Sequence, residues 1–250
     1  MGIVDFHSHL IPGVDDGAET LEQSLVAIQT MWEQGITHII TTPHFRAHTL
    51  NDPTEFETRI ALVDEAWETL RAAAKEEFPD LWLDRGCELA LDEPLAAMPD
   101  ERVRLAGTRF MLVEFPRFLI PAEGGKVLAQ LVELGVTPIV AHPERYDNLD
   151  DDDLDVLVEW KKRGAFLQVD VGSVVGDFGD SIEASGWKIL ELGLGDYLSS
   201  DYHAWRKCFV ADAQNAIVAR GGEGQFKTLS VLNGERLLRG EDPVPVGGLS

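Results

Sequence analysis

Two histidines separated by one residue, His7 and His9, open the polar part of the chain. They follow a short apolar run from Ile3 that contains β-branched residues, a pattern typical of a buried strand. Residues i and i+2 of an extended backbone share a face, so both imidazoles can reach one cation. Asp15 or Asp16, carried back by a Pro-Gly turn, could serve a second cation. An isolated His-x-His pair is usually part of a surface loop, so further metal-ligand types elsewhere in the chain are needed to support a metal site.

Histidines, aspartates and glutamates also follow the other short apolar segments of the chain. These segments alternate with longer ones in which apolar residues recur at helical spacing. The predicted strands span residues 3–6, 36–41, 81–87, 110–113, 137–141, 166–171 and 197–199. The side chains at or just beyond their ends are His7, His9, Asp16, His44, Glu88, Glu114, His142, Asp201 and His203.

This alternation predicts parallel strands with helices packed outside them. A closed or nearly closed β/α barrel suits both the pattern and the length of 250 residues. Such barrels carry their chemistry at the carboxyl ends of the strands, where distant loops meet. We therefore expect one domain over residues 1–239 with the nine side chains on one rim. A loosely held Pro/Gly-rich tail is expected over residues 240–250.

Several of the predicted helices have recognisable ends. Thr20 is placed to cap the first helix, and Gly35 follows its end. The longest predicted helix spans residues 53–77, and others span 121–134, 182–192, 210–219 and 226–238. The acidic run at residues 150–153 is expected to begin a further helix, because the helix dipole favours carboxylates there. Residues 89–108 are predicted to be irregular with a short helical turn, and residues 173–179 are predicted to form a loop that contains glycine.

The composition excludes several classes of partner. Lys and Arg number 21 against 44 Asp and Glu, which gives a net charge of −23 and no basic cluster for nucleic-acid phosphates or an acidic membrane surface. No apolar run approaches the roughly 18 residues of a membrane span, and no export signal follows Met1. We therefore expect a cytoplasmic protein in which Cys87 and Cys208 are free thiols.

The clustered donors predict a centre for divalent metal ions. Nine imidazoles and carboxylates on one rim would be a large uncompensated concentration of polar and charged groups unless cations were bound. A mixture of nitrogen and oxygen donors without thiolate suits zinc, manganese or iron(II). His38 lies inside a predicted strand and is expected in the core, whereas His48 in a polar loop is solvated or near a substrate. Cys87 is expected to be a small core residue.

Sequence segments throughout the chain resemble those of a known superfamily. DFHSH with DDGAET, then TTPHF, GCE, LVEF, AHPERY and SDYH, occur in this order and near the spacings of the PHP (polymerase and histidinol phosphatase) superfamily. The resemblance runs from Ile3 to about Arg239. Within the superfamily, the chain most resembles the branch of manganese-dependent protein-tyrosine phosphatases. These enzymes partner bacterial tyrosine kinases of capsule and exopolysaccharide synthesis.

The resemblance implies a distorted seven-stranded β/α barrel that holds three divalent ions, with manganese favoured over iron(II) or zinc. It implies a phosphotyrosine substrate on the tyrosine-rich tail of such a kinase. The implied ligand sets are His7, His9, Glu88 and Asp201 for the first ion; Glu88, Glu114 and His142 for the second; and Asp16, His44 and His203 for the third.

The implied ions would create a positive centre on an acidic protein. A phosphomonoester could bind there, and a metal-bridging water of lowered pKa would supply hydroxide for attack on phosphorus. Arg145 is the expected bidentate phosphate clamp, and a salt bridge to Glu144 or Asp147 is the alternative. The leaving group of tyrosine phosphate is a phenolate, whose conjugate acid has a pKa of about 10. It needs less help from a general acid than the alkoxide of serine phosphate, so no general acid is assigned.

Two positions depart from the pattern of relatives. Arg206 is the candidate for a second arginine in contact with substrate, although Cys208 occupies the nearer spacing. Asp170 stands where relatives often have asparagine. These departures affect the expected substrate contacts and leave the expected metal ligands intact.

Other functions share parts of this pattern. Another phosphatase of the superfamily, acting on histidinol phosphate or a similar small molecule, would use the same ligands. An amidohydrolase commonly uses a carbamylated lysine where Glu88 and Glu114 stand. A phosphoprotein-binding or metal-storage module is the non-enzymatic alternative. A thiol-dependent tyrosine phosphatase needs Cys-x5-Arg, but Glu93 and Gln214 occupy the arginine positions after the two cysteines.

Overall fold

The structure is a computed structural model that describes residues 2–149 and 154–249. Its strands are β1 (Ile3–Asp5), β2 (Ser8–His9), β3 (Ile36–Thr41), β4 (His44–Arg46), β5 (Trp82–Arg85), β6 (Glu88–Ala90), β7 (Phe110–Glu114), β8 (Thr137–Ala141), β9 (Phe166–Asp170), β10 (Tyr197–Ser199) and β11 (Tyr202–His203). Its helices are α1 (Leu21–Glu33), α2 (Ala47–Asn51), α3 (Pro53–Glu77), α4 (Gly124–Glu133), α5 (Asp155–Lys162), α6 (Val171–Val174), α7 (Asp180–Glu191), α8 (Val210–Ala219), α9 (Glu223–Lys227) and α10 (Asn233–Leu238).

The strands form three parallel sheets. Their orders are β1-β3-β5, β10-β9-β8-β7-β6-β4 and β11-β2. The predicted α/β class with parallel strands is therefore confirmed, whereas the described residues do not form the single closed sheet that was expected of a barrel. None of the described helices is long and apolar enough to cross a membrane.

Short interruptions divide the strands that were predicted to be continuous. The predicted strand over residues 3–6 ends at Asp5 because the N–H groups of Phe6 and His7 donate to the side-chain Oγ of Ser199, at 2.9 and 3.0 Å, and not to the backbone of a neighbouring strand. The predicted strand over residues 36–41 is confirmed as β3, and after Pro43, which has no N–H to donate, the chain forms the separate strand β4. The predicted strand over 81–87 breaks at Gly86, where a Cβ would lie 2.9 Å from the side chain of Leu105.

Helices α1 and α3 agree with the predictions. Thr20 Oγ accepts the N–H of Gln23 at 3.2 Å, which confirms the cap of α1. Helix α3 has the predicted bounds and buries the predicted apolar face, which includes Phe56, Val63 and Leu70. Asp52 caps it by accepting the N–H of Thr54 at 2.8 Å. These elements were predictable because their signals are local.

Other bounds differ from the predictions. Helix α4 begins at Gly124, three residues later than expected, because turns occupy residues 122 and 123. The segment 89–108 differs in that β6 continues to Ala90, whereas its expected helical turn is present as two short 3-10 turns. Residues 226–238 are helical but contain a π-turn over Thr228–Leu232. The predicted first turn at residues 150–153 lies outside the described residues.

The C-terminal segment is held more firmly than a loose tail. Residues 241–249 have no helix or strand, but the N–H of Val244 donates to Asn233 Oδ1 at 2.9 Å. Gln225 Nε2 donates to the carbonyl of Gly247 at 2.7 Å. Val246 and Leu249 pack against the core.

A small apolar cluster directly precedes several of the polar strand ends. It is separate from the larger core and includes Phe6, Ile40, Leu112, Ala141 and Tyr197. Phe6 is followed by the first histidine of the chain, and Ala141 by another. The cluster thus supplies a packed base from which the polar side chains emerge.

Candidate metal centre

Glu88, the first residue of β6, lies at the centre of the polar cluster. It is buried, and its two carboxylate oxygens face ring nitrogens of four histidines from three segments of the chain. These nitrogens lie 3.0–3.5 Å from the Glu88 oxygens and belong to His7, His9, His44 and His142. One carboxylate therefore brings together imidazoles that are up to 135 residues apart in the sequence.

Three groups of side chains have donor atoms close enough to share an ion. In each group, the ligand atoms lie within 4.8 Å of one another. The groups are His7, His9, Glu88 and Asp201; His9, Asp16, His44 and His203; and His44, Glu88 and Glu114. With His142, whose Nε2 lies 3.0 Å from Glu88 Oε1, all nine expected residues are gathered at one site.

The first group matches the ligand set implied by the resemblance, and the other two differ in one member each. His44 lies beside Glu88 and Glu114 in the position that was expected of His142. His142 instead contacts the other carboxylate oxygen of Glu88, Oε1. His9 joins the group of Asp16. His9 and His44 therefore lie between neighbouring groups.

The rings of His7 and His9 are each held from outside the cluster. The Nδ1–H of His7 donates to Gln168 Oε1 at 2.9 Å, and that of His9 donates to Asp15 Oδ2 at 2.8 Å. Each acceptor orients its ring so that Nε2 faces the carboxylates. Both Nε2 atoms are buried and make no hydrogen bond among the described residues. Buried, oriented nitrogens of this kind fit a bound cation.

Asp15 and Asp16, the two alternatives from the sequence, have different positions. Besides holding His9, Asp15 accepts the N–H of His44 at 3.3 Å and that of Gly17 at 3.0 Å. Asp16 is 65% exposed and directs Oδ1 towards His44 and His203, at 3.3 and 3.4 Å. Asp15 therefore positions the loop, and Asp16 faces the cluster.

Two site residues have strained backbones. His142 has φ 34° and Asp201 has φ 44°, both in the left-handed region that non-glycine residues rarely adopt. Each follows a strand that ends at the cluster, β8 for His142 and β10 for Asp201. Strain of this kind is found where surrounding contacts fix a side chain for function.

The electrostatics of the cluster are dominated by its carboxylates. Burial opposes the charge on Glu88, but His7 and His142 outweigh it and hold the pKa of Glu88 well below its usual value. Burial likewise opposes protonation of His7, yet Glu88 and Asp201 hold its pKa well above the ordinary value. Burial and then the charge of Arg145 lower the pKa of His142 to about 4. His142 is thus neutral near pH 7, the form in which an imidazole binds a metal.

Glu114 is less readily ionised than its partner. Burial, followed by the nearby charge of Glu88, raises the pKa of Glu114 to about 7. Ligand atoms of Glu88 and Glu114 lie within 4.8 Å of one another, so the two carboxylates repel when both are ionised. A divalent cation between them would relieve that repulsion. The chemistry of the donor set therefore fits divalent ions.

Arg145 extends over the cluster and contacts two of the acids there. Its Nη1 donates to Asp201 Oδ2 at 2.5 Å and to Asp170 Oδ2 at 3.3 Å. The guanidinium group lies between two rings, 4.9 Å from the centre of Phe118 and 4.3 Å from that of Phe178. Glu144 and Asp147, the alternative partners considered from the sequence, form no ion pair with it among the described residues.

Arg206 also contacts the ring of Phe178. It pairs with Asp177, and its guanidinium carbon is 4.5 Å from the centre of the Phe178 ring. Both arginines line a cavity of about 350 Å³ that opens onto the cluster. Trp205, 68% exposed, also lines it, and its Nε1–H donates to the carbonyl of Asp16 at 2.8 Å.

The two histidines that were left out of the predicted set belong to none of the three groups. His38 Nδ1 lies 2.9 Å from Thr37 Oγ1 and is half-buried. His48 is half-exposed and pairs with Asp92 at 2.5 Å, so it is not simply solvated. Sequence reasoning missed Gln168 and the rings of Phe118 and Phe178. Only Gln168 carried a signal, because it is a polar residue in an otherwise apolar strand.

Comparisons with known proteins agree with this geometry. A family model described as capsular polysaccharide synthesis, CpsB/CapC, matches residues 3–239. The chain is 28% identical to the tyrosine-protein phosphatase CpsB of Streptococcus agalactiae serotype III (strain NEM316) over 246 residues, which cover 95% of this chain and 98% of that protein.

Solved structures give a consistent result. One from a study of YwqE from Bacillus subtilis and CpsB from Streptococcus pneumoniae, described as unique metal-dependent tyrosine phosphatases, has a TM-score of 0.82 and 25% identity, and the match covers 99% of this chain and 100% of that one. A variant organophosphorus hydrolase from Deinococcus radiodurans is similar in fold alone, with a TM-score of 0.57, 15% identity and coverage of 95% and 93%. The resemblance seen in the sequence is confirmed, and the chain belongs to the CpsB/CapC family of capsular polysaccharide synthesis.

Proposed function

We propose that this protein is a metal-dependent phosphomonoesterase that hydrolyses phosphotyrosine in a protein substrate. The observation that carries the proposal is the meeting of a buried metal-type cluster and two arginines, Arg145 and Arg206, at one cavity. The cluster alone would suit many hydrolases, whereas guanidinium groups beside it favour a phosphate-bearing substrate. Relatives named as tyrosine-protein phosphatases support the same substrate class.

The nine clustered side chains are assigned to three divalent ions, manganese first, with iron(II) or zinc as alternatives. The imidazole and carboxylate donors suit these metals. The proposed ligand sets are His7, His9, Glu88 and Asp201; Glu88, Glu114 and His142; and Asp16, His44 and His203, with His44 also within reach of the second set. When bound, such ions supply an activated water and neutralise charge on the phosphoryl group.

Arg145 is proposed to bind the phosphate. The hydrogen bonds that it makes among the described residues all use Nη1. The remaining donors of the planar fork are available to two phosphate oxygens. Asp201, Asp170 and the two flanking rings hold the guanidinium in place, so little conformational entropy is lost when phosphate binds. Arg206 is proposed as the second phosphate contact because it lines the same cavity.

The aromatic lining of the cavity suits the tyrosine ring of the substrate. Trp205 is a large, exposed apolar surface beside His203, with 5.5 Å between their ring centres. Phe118 and Phe178 line the same cavity. Offset or edge contacts between aromatic rings contribute about 0.5–1.5 kcal/mol beyond area burial, which favours an aryl phosphate over an alkyl phosphate.

The three sheets are proposed to form one distorted seven-stranded β/α barrel of the PHP type. Support comes from β11 and β2, which pair in parallel through Tyr202 with Ser8 and His203 with His9. These strands continue the chain of β10 and β1, so the pairing joins the last strand segment to the first. A single phosphatase domain over residues 1–239, followed by the segment 240–250, is proposed on the same basis.

The proposed substrate is the tyrosine-rich tail of a bacterial tyrosine kinase in capsule or exopolysaccharide regulation. The capsular polysaccharide synthesis family and the relatives named tyrosine-protein phosphatase support this choice. Such a kinase phosphorylates its tail with ATP, so a cytoplasmic location is proposed for the phosphatase as well.

The function is tested by metal removal and reconstitution with two substrates. Chelated protein should lose at least about 100-fold in turnover of a phosphotyrosine peptide and recover it with Mn²⁺. The reconstituted protein should have a higher kcat/KM for that peptide than for histidinol phosphate. Preference for histidinol phosphate would overturn the substrate class, and full activity after chelation would overturn the metal dependence.

Substitutions in the cluster test whether that activity depends on it. Glu88→Ala and His142→Ala should stay inactive with Mn²⁺ yet keep the circular dichroism spectrum and thermal transition of a folded protein, because neither side chain belongs to the apolar clusters that form the core. Glu133→Ala, an exposed acid at the end of α4, is the matched control and should be fully active. Near-normal turnover by Glu88→Ala would remove it from the proposed site.

A further inference from the structure

Among the residues that the structure describes, two arginines, Arg46 and Arg117, have guanidinium groups without a partner. The chain has fourteen arginines. The side chains of twelve make a hydrogen bond or an ion pair with another described residue, whereas those of Arg46 and Arg117 are exposed and make neither these nor a stacking contact there. In a chain with 44 acidic residues, two unpaired guanidinium groups are unexpected.

Both arginines line the same cavity of about 560 Å³, which we call the side cavity. The side cavity shares His44 and Glu114 with the cavity at the metal-type cluster. It is therefore next to the proposed site of phosphate hydrolysis, and a peptide bound at one cavity can extend into the other.

The topology explains why these two side chains meet. Arg46 ends β4 and pairs in register with Ala90, the last residue of β6. On the other side of β6, Ala90 pairs with Glu114, the last residue of β7. Arg117 lies three residues beyond Glu114. The two arginines thus flank the end of β6 from neighbouring strands.

The loop that carries Arg117 has a strained backbone. Arg117 has φ 63° and Phe118 has φ 49°, two consecutive non-glycine residues in the left-handed region. Such strain persists where the surroundings fix it and is concentrated at ligand-binding sites. Here it directs Phe118 against Arg145 while Arg117 lines the side cavity.

The acids that line the side cavity are already engaged. Asp92 accepts from His48, at 2.5 Å from Nδ1 and 3.2 Å from the backbone N–H. Glu114 belongs to the metal-type cluster. Neither forms an ion pair with Arg46 or Arg117 among the described residues. The side cavity therefore presents two unneutralised guanidinium groups.

We infer that the side cavity binds an anionic side chain of the substrate peptide, a carboxylate or a second phosphate, between Arg46 and Arg117. Guanidinium forks match the geometry of both anions. The inference rests on the proposed phosphatase function and adds a selectivity for substrates with an anion near the phosphotyrosine. A negatively charged protein would otherwise repel acidic substrates, and these two arginines offset that repulsion locally.

The test compares matched phosphotyrosine peptides. One set carries Glu at a single position, one to three residues before or after the phosphotyrosine, and a second set carries Gln there. A third set carries a second phosphotyrosine at that position. Wild-type protein, Arg46→Gln, Arg117→Gln and the double variant are assayed for kcat/KM with Mn²⁺. Arg71→Gln is the control, because it removes the same charge from an exposed position on α3.

The wild type should prefer the Glu peptide over its Gln partner by at least about fivefold at one or more positions, which corresponds to about 1 kcal/mol. The double variant should lower that preference below about twofold, and Arg71→Gln should keep it. A larger preference for the second phosphotyrosine would identify phosphate as the favoured anion. Arg46→Lys and Arg117→Lys should restore part of the preference, because each keeps the charge.

Two failures can be told apart. Equal kcat/KM for the Glu, Gln and doubly phosphorylated peptides in the wild type, or an undiminished preference in the double variant, would overturn the anion site while the phosphatase function stands. No turnover of any peptide by the wild type would overturn the phosphatase function, and this inference with it.

Discussion

The side chain of Gln168 on β9 accepts the Nδ1–H of His7 at 2.9 Å, and so decides which nitrogen of that imidazole faces the carboxylate cluster. The two residues are 161 positions apart in the chain. Gln168 Nε2 donates to the carbonyl of Val169 at 2.9 Å, which orients the amide with its oxygen towards His7. The tautomer of a proposed metal ligand thus depends on a strand that is distant in the sequence.

Replacing Gln168 with leucine should weaken metal binding without removing a ligand. The buried ring would lose its acceptor and the constraint on its tautomer, and losses of this kind typically cost about 10–100-fold in metal affinity. We expect a rise of that size in the Mn²⁺ dissociation constant measured by calorimetry, with a parallel rise in the Mn²⁺ concentration needed for activity.

Gln168→Glu is the matched control for that experiment. It keeps an acceptor of the same length and should bind Mn²⁺ at least ten times more tightly than Gln168→Leu. Equal Mn²⁺ affinity in the wild type and the leucine variant would show that the contact with His7 does not matter for binding.

The two thiols should be dispensable and unreactive. Cys87 and Cys208 are buried and free. Burial raises the pKa of Cys208 to about 12 and that of Cys87 well above its usual value. The thiolate, which is the reactive form, is therefore scarce in both below about pH 9. The double Cys→Ala variant should keep its kcat/KM, and iodoacetamide at pH 7.5 should leave the native wild type active.

A thiol mechanism makes the opposite prediction. If the folded double variant lost turnover, or if iodoacetamide inactivated the native enzyme in step with labelling of one cysteine, a cysteine nucleophile would have to replace the metal-dependent reaction. Mass spectrometry of the labelled protein identifies which cysteine reacted.

Arg145→Ala should lower kcat/KM for a phosphotyrosine peptide by at least about tenfold, which corresponds to about 1.4 kcal/mol of transition-state stabilisation. Arg145→Lys should also be impaired, because an ammonium group keeps the charge but loses the two parallel hydrogen bonds of the fork. Metal content, measured by inductively coupled plasma mass spectrometry, should stay unchanged in both variants.

Arg163→Ala is the control for Arg145. Arg163 forms an exposed ion pair with Glu159 within one helical turn, and such pairs contribute only about 0–1 kcal/mol to stability. Its removal should leave kcat/KM unchanged. An unchanged kcat/KM in both Arg145 variants would show that the contacts of Arg145 with Asp170 and Asp201 are structural and that it does not bind phosphate.

The parts of the structure that follow from local signals could be predicted from the sequence. The cap at Thr20 and the apolar face of α3 depend on residues a few positions apart, so the pattern contained them. The gathering of the nine polar side chains also followed, because carboxyl ends of parallel strands lie at one edge of a sheet.

The remaining features depend on contacts between distant residues. The early end of β1 is caused by Ser199, whose hydroxyl takes the N–H groups of Phe6 and His7 from 193 and 192 residues away. The partners of Arg145 were expected beside it in the chain, but Asp170 and Asp201 come from the ends of other strands. No local pattern in the sequence specifies such pairs.

The assignment of divalent ions to the cluster around Glu88 is tested most directly by anomalous diffraction from Mn²⁺-loaded crystals. We expect manganese peaks within about 2.0–2.5 Å of the ligand atoms of His7, His9, Glu88 and Asp201, with further peaks beside Glu114 and Asp16. Glu88→Ala crystals should lose the peak that these four residues share. Manganese bound elsewhere on this acidic chain, with none at Glu88, would show that the cluster is not a metal centre.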